Sequence, residues 1–251
     1  MKLKSIASAF SVAVALMAAT ANGQFAPSGG DVPGLEQAMR KLFEKVDGFT
    51  GTANMTISGQ GPNVKLTVDM AMLNGDARTE VDLTKMEGAA IPPQMISQLK
   101  AAGMDKAVTI NYAKDGSSVI IYPGLKSYAE VTPGKPAPAG GNSPECKVEK
   151  TPLGAEDVGG KSCDKNTVKV KCEGQPEVVL TVWSDKTRKD LPVKLSTTQE
   201  GVSMTIEFTQ FTEGKPDAKL FALPSEYKKY ASAQELMMAN MQKLMQAAPG
   251  Q

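Results

Sequence analysis

Hydrophobic positions along this chain recur with two periods, and the switches between them mark its elements. Leu35, Met39, Leu42, Phe43 and Val46 follow i, i+4, i+7, i+8, i+11, the stripe of a helix that buries one face, and predict a helix over 35–47 stopped by Gly48. Over 52–58 the period falls to two, with Ala53, Met55 and Ile57 on one side and Thr and Asn on the other. Val64, Leu66, Val68, Met70 and Met72 continue that alternation up to Asn74-Gly75, a dipeptide that supplies both positive-φ positions of a two-residue hairpin turn. Such a turn sets Met72 opposite Ala77, Met70 opposite Thr79, Val68 opposite Val81 and Leu66 opposite Leu83. A slip of one residue would send the whole apolar row to the other face.

Pro92-Pro93 opens a second helical stretch, expected over 91–102, with Met95, Ile96 and Leu99 at helical spacing and an end near Gly103. A second hairpin turning at Asp115-Gly116 sets Tyr112 against Val119 and Ile110 against Ile121. Pro123-Gly124 interrupts the returning strand, which resumes at Tyr128. From 132 to 144 the chain is rich in Pro and Gly with almost nothing apolar, so an exposed loop is expected. Strands follow near 146–151, 161–172, 177–184, 191–198 and 202–211, with turns at Gly159-Gly160, 173–176 and Glu200-Gly201. Ser232 then caps a helix over 232–248 whose stripe is Leu236, Met237, Met241, Leu244, Met245 and Ala248. Long alternating strands with three amphipathic helices make an α+β molecule built on a sheet with a face that can be covered.

The chain begins with Lys2 and Lys4, an apolar run from Ile6 to Ala19 and small residues thereafter, the layout of a secretory signal over 1–23. Cleavage after Gly23, or two residues earlier after Ala21, leaves an exported protein, periplasmic or extracellular, without a transmembrane segment. Of its 251 residues, 24–231 then form a single domain and 232–251 a Met-rich helix and tail. Losing the two leader lysines leaves 26 basic against 27 acidic side chains, a near-neutral balance with no pull toward nucleic acid. The sequence contains no histidine, which removes Ser-His-Asp triads, Cys-His dyads and ordinary zinc or haem ligation. The segment Gly154 to Ser162 has a phosphate-loop look, but Ala155 stands where glycine is required, Glu156 and Asp157 would repel phosphate, and a strand follows instead of a helix. No carboxylate pair is marked as acid and nucleophile. No cofactor and no enzymatic activity are therefore expected.

Three cysteines in an exported chain permit one disulfide. Cys163 and Cys172 on one extended strand would lie about 30 Å apart, so Cys146 must be one partner, and pairing it with Cys163 would close a hairpin centred near Gly154-Ala155.

The second half carries a wider pattern: Cys146, then Leu153-Gly154-Ala155-Glu156-Asp157-Val158-Gly159-Gly160-Lys161-Ser162-Cys163, Val182-Trp183, Leu191-Pro192-Val193-Lys194, and Lys215 to Phe221 with Pro224 and Tyr227 to Tyr230. Together these resemble a bacterial secreted family of unknown function that is similar to the periplasmic lipoprotein carriers of the Lol system. The resemblance spans about residues 35–230, and its motifs are strand and turn signatures. It implies a strongly curved antiparallel sheet, an open or half β-barrel, with helices over an apolar concave face, and a Cys146–Cys163 disulfide leaving Cys172 unpaired. An apolar ligand such as an acyl chain or lipid would then lie between sheet and helices. Its wall would combine Met70, Met72, Ile110, Tyr112, Met204, Ile206 and Phe208 from strands with Leu35, Met39, Met95 and Leu99 from helices. Methionine, unbranched and flexible, suits a surface that repacks around hydrocarbon. The alternative is a structural or interaction module with a solid core, since apolar stripes ordinarily mean burial.

Overall fold

The structure, a computed structural model, describes residues 35–59, 61–88, 93–131, 146–173, 176–188, 191–199 and 201–247. The expected signal segment, the Pro/Gly-rich loop at 132–144 and the last four residues lie outside the described residues. Twelve strands form one unclosed sheet, antiparallel except at one edge. In chain order they are β1 (Gly48–Gly59), β2 (Gly61–Leu73), β3 (Asp76–Asp82), β4 (Lys106–Asn111), β5 (Ser118–Tyr122), β6 (Ser127–Val131), β7 (Cys146–Val158), β8 (Lys161–Cys172), β9 (Val178–Asp185), β10 (Leu191–Gln199), β11 (Val202–Glu213) and β12 (Lys228–Tyr230). The helices are α1 (Leu35–Leu42), α2 (Pro93–Ala101) and α3 (Ala233–Ala247). Across the sheet the order is β12-β6-β5-β4-β3-β2-β1-β11-β10-β9-β8-β7. Two meanders, β1–β6 and β7–β11, are therefore joined where β1 pairs with β11.

The Asn74-Gly75 turn forms as read, both residues at positive φ, and the pairs Val68–Val81, Met70–Thr79 and Met72–Ala77 follow. Leu66 does not face Leu83. Pairing ends at Val81 because Asp82 caps a short 3-10 turn, Leu83–Lys85, by accepting from the Thr84 amide at 3.0 Å. The second hairpin is shifted: Ile110 faces Val119, and Val108, not Ile110, faces Ile121. Its loop has four residues instead of two, closed by the Gly116 amide donating to the Tyr112 carbonyl and by Asp115 accepting from the Ser117 amide. The shift is even, so each side chain keeps its face. The first helix stops at Leu42, short of the expected 47, because Phe43 turns down among Phe49, Phe208 and Phe211 and the chain must enter β1 at Gly48.

The disulfide joins Cys146 to Cys172, and Cys163 is the buried free thiol. This corrects the expected Cys146–Cys163 pair and the hairpin near Gly154-Ala155 that it would have closed. The turn between β7 and β8 lies at Gly159-Gly160, both at positive φ, and β7 runs as one 13-residue strand with a bulge at Pro152 to Gly154. Counting back from that turn puts Glu156 opposite Cys163 and Cys146 opposite Cys172, with a Cα separation of 4.0 Å. Cys163 sits nine residues from that rung, about 30 Å along the strand.

Candidate functional site: the apolar face of the sheet

The strand registers separate two faces. On one, Ala53, Met55 and Ile57 of β1 face Val68, Leu66 and Val64 of β2 on one side and Phe208, Ile206 and Met204 of β11 on the other. The row continues through Leu195 of β10, Leu180 and Val182 of β9 and Val168 and Val170 of β8, to Cys172 and the disulfide at the edge. These side chains form one buried cluster with Leu35, Ala38 and Met39 of α1 and with Phe43. Toward the other edge the same face turns polar at Thr109, Asn111 and Ser118, where the Ser118 hydroxyl donates to Asn111 Oδ1 at 2.5 Å. Beyond this strip lies a second cluster, in which Leu236 of α3 covers Ile120, Ala129 and Tyr230. The polar strip thus bounds the apolar area, which reaches from β3 to β8.

Of the eleven residues expected to line a ligand wall, six are buried in the main cluster: Leu35, Met39, Met72, Met204, Ile206 and Phe208. Met70 and Leu99 pack against it half-buried. Met95 lies on α2, with its side chain outside the described atoms. Ile110 and Tyr112 are elsewhere. The β3–β4 register puts Ala107, Thr109 and Asn111 on the apolar face, so Ile110 and Tyr112 point through the other side and pack around Phe221. There the Tyr112 hydroxyl donates to the Phe221 carbonyl at 3.0 Å, and burial followed by the Asp76 and Asp115 carboxylates pushes its acidity down, raising the pKa. Sequence reading joined them to the wall by assuming that neighbouring hairpins share one inward parity.

Phe43, Phe49 and Phe211 were missing from that list, as were Leu180, Val182, Val168 and Val170. Phe43 meets Phe49 and Phe208 at centroid separations of 5.0 and 5.7 Å and so pins the end of α1 to the strands. The alternation at 168, 170 and 172 and at 178, 180 and 182 was the available signal for the other four.

The opposite face is polar over its centre. Asn54, Thr56, Lys65, Thr67, Thr205 and Glu207 line a hollow of about 330 Å³ there. Farther along, Trp183 is buried beneath the ammonium groups of Lys165 and Lys194, 4.9 and 5.0 Å from the ring centre. The Lys165 ammonium, 2.8 Å from the Glu156 carboxylate, holds that carboxyl below its usual range. Cys163 beside Trp183 is fully buried, and burial, reinforced by Asp185, pushes its thiol up and makes it a poor nucleophile. Among the described residues, no three Cys, Asp or Glu side chains are grouped to hold a metal ion, and no helix is long and apolar enough to cross a membrane.

No family model and no curated protein matches the sequence. Solved structures do. A LolA superfamily protein from Nitrosomonas europaea is similar over 74% of this chain and 97% of its own, with a TM-score of 0.35 and 8% identity. The lipoprotein LppX from Mycobacterium tuberculosis is similar over 72% of this chain and 97% of its own, at 0.36 and 11%. A DUF1329 family protein from Desulfovibrio piger is similar over 75% of this chain and 94% of its own, at 0.33 and 13%.

Proposed function

We propose that this chain is an exported, non-enzymatic envelope protein that takes an apolar ligand, an acyl chain or lipid, between the sheet and its helices, on what would be the concave side. The observation that carries this reading is the extent of the apolar face. A continuous apolar area runs across seven neighbouring strands, and α1, only eight residues long, lies on it. Leu35, Ala38 and Met39 meet the sheet through apolar contacts, which hydrocarbon can replace at little polar cost. Met39, Met55, Met70, Met72, Met86 and Met204 all belong to this cluster or pack against it, where unbranched side chains can repack.

A second reading, a structural or interaction module with a solid core, is favoured by the closeness of the packing: Leu35, Met204 and Ile206 are 2–3% exposed. Native mass spectrometry of the purified protein, followed by organic extraction and titration of the delipidated chain with a fluorescent long-chain fatty acid, separates the two. Co-purified lipid and saturable micromolar binding are expected under the first. A bare protein that binds no acyl probe establishes the solid core instead.

A further inference from the structure

The apolar face does not end in solvent uniformly. Between the end of α1 and the sheet, near edge strand β7, lies a groove of about 200 Å³. Its apolar walls include Val46, Val148 and Leu191, which belong to the main cluster or pack against it, so the groove opens onto that cluster. Its polar lining includes Lys45, Lys150 and Ser184. The register places Lys150 opposite Val168, one step along the edge row from Val148 opposite Val170. A lysine thus follows Val148 in the edge row and lines the groove.

The remaining charges at the rim are already matched, Lys41 with Glu44 and Arg188 with Glu213. Lys45 and Lys150 have no ion-pair partner among the described residues. Ser184, only 4% exposed, places its hydroxyl in the same lining. Two ammonium groups without an ion-pair partner and a serine hydroxyl, set beside an apolar cluster, form a site for an anion with a hydrocarbon chain attached. We propose that the ligand is a single-chain anionic amphiphile, a long-chain fatty acid, whose carboxylate is held by Lys45, Lys150 and Ser184 while its chain passes beneath α1. This rests on the acyl-binding reading above and adds the headgroup and the direction of entry.

The test compares oleate with oleyl alcohol, the same chain without the charge, on the delipidated full chain. Wild-type protein should bind oleate the more tightly, and K45E/K150E should lose at least about tenfold in oleate affinity while binding oleyl alcohol within about twofold of wild type. Ser184→Ala should weaken oleate about fivefold and leave the alcohol unchanged. Both lysines are exposed, so an unchanged thermal melt is expected for the charge reversals and confirms that the fold is intact. Equal affinity for the two probes, or oleate binding untouched in K45E/K150E, overturns the headgroup site and leaves acyl binding standing. Failure of both probes to bind wild type overturns both proposals.

Discussion

Val68 and Thr67 are adjacent in β2 and face opposite ways, the first 1% exposed within the apolar cluster and the second half-buried over the polar hollow. Val68→Asp should cost about 4 kcal/mol or more, because an unpaired carboxylate is forced among Ala53, Val81 and their neighbours, whereas Thr67→Asp should cost under about 1 kcal/mol. Urea denaturation of both variants checks this, and equal losses would mean that both faces are buried alike. The cysteines give a second residue-scale prediction. Non-reducing peptide mapping should find Cys146 joined to Cys172, and Cys163 should react with a thiol reagent only once the chain is unfolded. Loop entropy over the 26-residue separation corresponds to about 3.5 kcal/mol of stability, to be lost in C146S/C172S. Elimination along the strand correctly made Cys146 a partner. Whether Cys163 or Cys172 is the other depended on whether the chain turned near Gly154-Ala155 or at Gly159-Gly160, and a bulge that carries β7 through Pro152 and Gly154 hid the answer.

Turns and caps define the next scale. Asp82, Asp115 and Asp185 each accept from the backbone amide two residues on, at 3.0, 2.9 and 2.8 Å. Burial works against the Asp82 and Asp185 carboxylates, yet the hydrogen bonds from Thr84 and Thr187 outweigh it, and bonds from Ser117 lower Asp115 directly, so all three titrate below the usual range. Groups depressed on folding contribute stability above their unfolded value, near pH 4, and lose it as pH falls through the folded one. The melting temperature should therefore fall on acidification below about pH 4, and a D82N/D115N/D185N variant should show a flatter acid limb in the same scan. At the other end, Ser232 accepts from the Glu235 amide at 3.1 Å while Glu235 accepts from the Ala231 amide at 2.9 Å, so the expected cap is half of a reciprocal pair around the start of α3. Ser232→Ala should cost about 1 kcal/mol, read as a lower melting temperature. A further constraint escaped sequence reading. A Cβ on Gly124 would meet the backbone of Gly103 at 2.6 Å, so the end of α2 and the turn after β5 touch backbone to backbone. Only the fold brings those two glycines together; each alone looked like an ordinary breaker.

For the whole molecule, strand positions and most inward parities were legible, because one-sided alternation such as Val202, Met204, Ile206, Phe208 reports burial directly. Strand order was not: neighbouring hairpins fix local register, but nothing local says that β1 lies against β11. The apolar face was legible to the same depth. Its Met and Leu positions on β2, β11 and α1 are assembled as read, while Ile110 and Tyr112 fell to the other face through a parity that only the β3–β4 register decides. The β1–β11 pairing also has a consequence in time. A ribosome delivers β1 about 150 residues before its partner, so the first meander must wait with the long flank of β1 unsatisfied until residues 202–213 arrive. During that interval the exposed flank is a template for any passing strand, including the β1 of another nascent copy. Chains truncated before residue 202 should accumulate as aggregates on synthesis, and refolding of the full chain should slow and lose yield as its concentration rises, which light scattering during dilution from urea would reveal.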